Sequence, residues 1–111
     1  MRGRRHRVVP SLPAEVYGAA LSHCRDLIMT PWRSPKDSDA LGKVSDLARE
    51  INQGWCGDFA TFVVDHLPGA RFNWRTDHGF VEWNGRYYDA ECPDGVDEVD
   101  DLPIFGGRGG Q

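Results

Sequence analysis

In the stretch "NQGWCGDFATFVVDHL", Asn52 to Leu67, a cysteine stands where an amphipathic helix should begin. A thiol at a helix N-terminus meets unpaired N–H groups and the positive end of the helix dipole. Both favour the thiolate, which is the nucleophilic form. Gly54 and Gly57 flank Cys56 and leave room for a substrate to approach the sulfur. Position alone does not separate this reading from that of a structural cysteine filling core space. A cysteine nucleophile also needs a base, and a group that orients the base.

The clearest local signal in the chain supplies both. "HGFVEW" and "RYYDAE" flank Asn84-Gly85, which reads as a two-residue type I′ turn between antiparallel strands. Trp83 then pairs with Arg86, and His78, Phe80 and Glu82 face Glu91, Asp89 and Tyr87 on one side of the hairpin. Asp89 is the diagonal neighbour of His78. A carboxylate there can hold one imidazole nitrogen and leave the other free as general base. Glu91, directly opposite, is the rival acid, and a bulge would exchange the two.

Gln53, three residues before Cys56, could aim its amide at an oxyanion beside the Cys56 N–H, or could satisfy backbone at a helix end. Trp55 and Trp74 could wall a cleft, and serve equally well as core. Other constellations are weaker. Cys56, His78 and Cys92 lack the paired spacing of zinc ligands. Asp94, Asp97, Asp100 and Asp101 lack the ordered spacing of a calcium loop. No metal and no cofactor is called for.

The elements that must position these groups read as helices first and strands after. One helix is expected over Pro13 to Met29, with Ser11 as cap and Glu15 in the first turn. Pro31 and Pro35 bracket a loop. A second helix is expected from Ser38 or Asp39, with Leu41, Val44, Leu47, Ala48 and Ile51 on one face. The third would run from Cys56 to His66 and bury Phe59, Ala60, Val63, Val64 and Leu67, ended by Pro68-Gly69. "ARFNW" begins the strands. "PDGVDEVDDLPIF", after Cys92, reads as an acidic, turn-rich loop that Val96, Val99, Leu102 and Phe105 pack down. The expected class is α+β, helices packed on a small antiparallel sheet.

At 111 residues, 40% hydrophobic and 27% charged, the chain suits one globular domain, expected over residues 10–105. Its 13 Lys and Arg face 17 Asp and Glu, for a net charge of −4. Arg2, Arg4, Arg5 and Arg7 all lie in the first ten residues, so the rest carries −8. The expected organisation is therefore a disordered basic arm over 1–9, an acidic body, and a flexible tail over 106–111. An acidic body argues against a nucleic-acid-binding face. No run is apolar enough for a signal peptide or a membrane span. Three cysteines without a CxxC pair suit a reducing compartment, and a cytoplasmic location is expected.

"GWCGDFATFVVDHLPGA" followed by "HGFVEWNGRYYDAE" resembles the core of transglutaminase-like proteins, within the wider papain-like cysteine-protease superfold. The likeness covers about residues 52–92. In that family a cysteine at a helix start precedes an aromatic-Ala pair, a histidine follows on a strand, and an aspartate on the next strand follows an aromatic pair. The resemblance implies a papain-like core with Cys56 as nucleophile, His78 as base and Asp89 as orienter. "NQGWCG" is also similar to the opening of papain-type sites, but that alignment leaves no cysteine in the nucleophile slot near Phe59. The expected activity is a cysteine-dependent hydrolase or acyltransferase on an amide or ester bond, with a peptide or other amide-containing substrate. Gln53, Trp55 and Gly57 would bind substrate or oxyanion. The competing reading is a non-catalytic binding or structural module, phage- or virus-associated, that keeps the fold.

Overall fold

A computed structural model describes residues 10–29 and 43–106. Three helices, α1 (Ala14–Met29), α2 (Val44–Asn52) and α3 (Cys56–His66), precede four strands. These are β1 (Arg71–Arg75), β2 (His78–Trp83), β3 (Arg86–Asp89) and β4 (Cys92–Val96), paired antiparallel in sequence order. Two 3-10 turns follow, Val99–Asp101 and Pro103–Phe105. The class is α+β. The expected basic arm over 1–9, the loop with Pro31 and Pro35, the start of the second helix and the tail beyond Gly106 lie outside the described residues.

The helices sort by their apolar spacing. α1 buries Ala20, Leu21, Cys24 and Ile28, while α3 buries Cys56, Phe59, Ala60 and Val63. Val64, expected in the core, is only half-buried. These faces meet Val81 and Tyr88 from the strands, and Ala90 from the turn after β3, in one apolar cluster. Alternation along β2 sends Val81 toward that cluster and His78 and Phe80 to the opposite face. On that second face Phe80, Leu102 and His78 are buried as a smaller group beneath the 3-10 turns. Residues 99–106 thus form a strap across the back of the sheet.

Strand pairing next to Asn84-Gly85 is as the turn chemistry predicts. Both residues have positive φ, 56° and 75°, and Trp83 pairs with Arg86, Glu82 with Tyr87 and Val81 with Tyr88. Two readings need correction. "RYYDAE" does not continue as a strand to Glu91: β3 ends at Asp89, which pairs with Cys92, so Ala90 and Glu91 form the next turn. The segment after Cys92 begins as a strand rather than a loop. Pro93 and Gly95 disguise β4, and it tolerates them because it is an edge strand with a register shift between Tyr87 and Asp89. Its edge is covered: Leu12 donates its N–H to the Pro93 carbonyl at 2.9 Å.

Ser11 is not the cap of α1. Its hydroxyl donates to Asp94 Oδ1 at 2.7 Å, so the residue ties the helix approach to β4. Tyr17 and Tyr88 add to this seam, donating to the carbonyls of Ala90 at 2.6 Å and Pro10 at 2.5 Å. The acidic loop residues find separate basic partners. Asp97 pairs with Arg86 and Asp100 with Arg75.

Candidate active site

Three elements converge on one point. Cys56 is the first residue of α3, carried there by a tight connection in which Trp55 N–H bonds the Ile51 carbonyl at 2.7 Å. Trp55 is the N-cap residue and contributes no side-chain cap; its ring packs half-buried against the core. β2 starts at His78 and β3 ends at Asp89. Beside the turn, Trp83 and Arg86 bond each other, and alternation aims the Val81 and Gly79 N–H groups toward β3 as well. Beyond Val81 and Tyr88 the pairing of β2 with β3 stops. Into this opening comes the cysteine: Gly79 N–H donates to Cys56 Sγ at 3.3 Å.

His78 Nε2 and Asp89 Oδ2 are 2.9 Å apart, both side chains only 1% exposed. With Asp89 ionised, Nε2 carries the proton and donates it, which leaves the lone pair on Nδ1. Nδ1 is buried and has no hydrogen-bond partner among the described residues. It makes no hydrogen bond to the thiol; the sulfur instead engages the backbone of the very next residue. Asp89 is itself held, its Oδ1 accepting the Glu91 N–H at 3.0 Å. The rival acid is directed elsewhere: Glu91 Oε1 accepts from Asn52 Nδ2 at 2.9 Å. The turn at Ala90-Glu91 separates the two carboxylates, because leaving the strand swings Glu91 toward the end of α2.

Aromatic rings wall the pair. Phe105 meets His78 edge-on with centroids 5.5 Å apart, and Phe80 stacks beside it at 6.1 Å. Arg75 lies over the outer face of Phe105 at 4.9 Å while bonded to Asp100, fastening the strap to β1. Gln53 is exposed at the C-cap of α2 and lines a cavity of about 290 Å³ with Asn52, Glu91, Pro103 and Ile104. Beyond its own local backbone and chain neighbours, a Cβ at Gly57 would meet no atom of the described residues within 4 Å, and nor would one at Gly54. Trp74 is exposed and stacks on Phe72 at 6.2 Å.

Burial pushes Cys24 up to about 12, and burial with the nearby Asp89 charge pushes Cys92 up to about 11, so both resist ionisation. Residues that sequence reasoning passed over are Gly79, Asn52, Phe72 and Phe105. Only Gly79 carried a signal, since a glycine inside a strand marks close approach of another group. Comparison with family models, curated proteins and solved structures gives no match for this chain.

Proposed function

We propose that this chain is a small cysteine-dependent hydrolase or acyltransferase acting on an amide or ester bond, on a papain-like, transglutaminase-like core. The observation that carries the reading is the buried imidazole: one nitrogen committed to Asp89, the other unpartnered, one residue from the N–H that engages Cys56. In the proposed reaction His78 Nδ1 takes the thiol proton and Cys56 Sγ attacks the acyl carbon. The tetrahedral oxyanion is received by the Cys56 N–H and the Gln53 amide. The imidazolium returns its proton to the leaving amine or alcohol, and a thioester forms. Water or an amine, deprotonated by His78, then attacks the thioester; Cys56 Sγ leaves, recovers that proton from the imidazolium, and the acid or amide is released. Asp89 keeps Nε2 protonated throughout and stabilises the imidazolium. Three thiols without a disulfide among the described residues fit a reducing compartment, such as a cytoplasm.

A second reading is favoured by a different observation. Cys56, His78 and Asp89 are all buried, at 8%, 1% and 1% exposure, which suits a binding module that never presents them. Alkylation by iodoacetamide between pH 5 and 9 separates the two. For the hydrolase, Cys56 reacts below pH 7 and His78→Ala slows it at least tenfold. Reactivity that appears only near the ordinary thiol range of about 8.5, indifferent to His78, removes the catalytic reading.

A further inference from the structure

A groove of about 390 Å³ runs along the outer flank of α3, lined by His23, Gly57, Asp58, Thr61, Phe62, Asp65 and Phe72. We propose that it is a subsite for a basic side chain, arginine or lysine, of a peptide substrate lying across Cys56. The inference rests on Cys56 being the reactive centre, and it names the class of residue beside the bond that is cleaved or transferred.

Position ties the groove to the sulfur. At one end stands Gly57, the residue after Cys56. Phe72 lies over Gly79, whose N–H engages Sγ; a Cβ on Gly79 would fall 2.9 Å from Phe72 Cζ and 3.1 Å from the Trp74 ring. Only glycine there lets both rings close over the strand. The rings are not spent on the core: Phe72 is 42% and Trp74 58% exposed, stacked side by side on the sheet margin. Solvent-facing paired aromatics next to a reactive thiol need an apolar surface to cover them.

Charge decides which apolar surface. Asp58 and Asp65 lie along the exposed flank of α3, and among the described residues neither forms an ion pair or hydrogen bond. Among the described residues the lining includes no Lys or Arg, and His23 is engaged in stacking on Phe62 at 5.0 Å. An aliphatic stem that lies on aromatic rings and ends in a cation satisfies both features at once. An acidic side chain would meet repulsion, and a purely aliphatic one would leave the carboxylates unanswered.

The test is binding, with chemistry removed. Full-length Cys56→Ala protein is titrated with three blocked peptides, acetyl-Gly-Xaa-Gly amide, in which Xaa is arginine, norleucine or glutamate, following the Trp74 indole N–H by NMR. Expected is an arginine peptide bound at least tenfold more tightly than the glutamate peptide, with norleucine between. The combined Asp58→Asn and Asp65→Asn change brings arginine and norleucine within threefold of each other. Phe72→Ala weakens arginine and norleucine alike. Equal affinity for the three peptides, or an arginine preference that survives the double substitution, overturns the subsite. Selective arginine binding together with Cys56 alkylation indifferent to His78 leaves the groove standing as a binding site for a basic side chain and removes the catalytic reading, and with it the role as a substrate subsite.

Discussion

At the scale of single residues, the site turns on which carboxylate serves His78. Asp89 and Glu91 are two positions apart, and a hairpin continued to Glu91 would have set both near the imidazole. Asp89 takes the ring, and Glu91 takes Asn52. Asp89→Asn should therefore lower turnover of an activated acyl ester by about 10²–10⁴-fold, because an amide can leave the imidazole in the wrong tautomer. Glu91→Gln should lower it by less than about tenfold. A stopped assay with p-nitrophenyl acetate measures both, and equal losses would return the orienting role to the pair. Asp89→Ala should in addition cost about 2–3 kcal/mol of folding free energy in urea titrations, since it strips a buried ring nitrogen of its charged partner.

At the scale of elements, the strap over residues 99–106 covers the imidazole. Its Phe105 supplies that cover, and the Arg75 contacts to Phe105 and Asp100 hold it down. Phe105→Ala removes that cover without touching a reacting atom. Alkylation of Cys56 by a bulky maleimide should rise several-fold, with mass mapping to show that Cys24 and Cys92 stay thiols at pH 7. An unchanged rate would mean that access comes from the α3 side. β4 carries a second element-scale dependence. Gly95 has φ of 80°, and an added Cβ would fall 2.6 Å from the Tyr88 ring. Gly95→Ala should cost about 1–3 kcal/mol, read from the shift in the denaturation midpoint.

At the scale of the whole molecule, the helix-sheet core and its seam respond to alkali. Burial raises Cys24 from 9.0 to about 12, and burial with neighbouring carboxylates raises Tyr17 from 10.0 to about 12. Both groups hold their proton more tightly folded than unfolded. Their contribution is thus fully present below the unfolded pKa and is lost as pH climbs through 9 and 10 toward 12. Ionised Tyr17 would also lose its hydrogen bond to the Ala90 carbonyl. Melting temperature should fall steadily from pH 9 to pH 11, and Cys24→Ala should flatten the slope. A flat profile would contradict the burial of these two groups.

Much of this arrangement is written locally. Apolar spacing sets the inward faces of α1 and α3, Asn84-Gly85 sets the pairing of β2 with β3, and together they bring His78 and Asp89 to one face. These follow from short-range rules, the 3.6-residue and 2-residue periods and the positive φ that a type I′ turn demands. Other features needed the folded chain. That β4 is a strand depends on its edge position, where Pro93 and Gly95 do no harm. That Ser11 serves Asp94 depends on a contact between residues far apart in sequence. The same holds for the sulfur's neighbour: Cys56 meets Gly79 only because β3 leaves β2 and α3 starts at that gap. Residue types and periods were enough to nominate a nucleophile, a base and two acids. Choosing between the acids, and burying the imidazole beneath Phe105, required long-range packing, which no local pattern encodes.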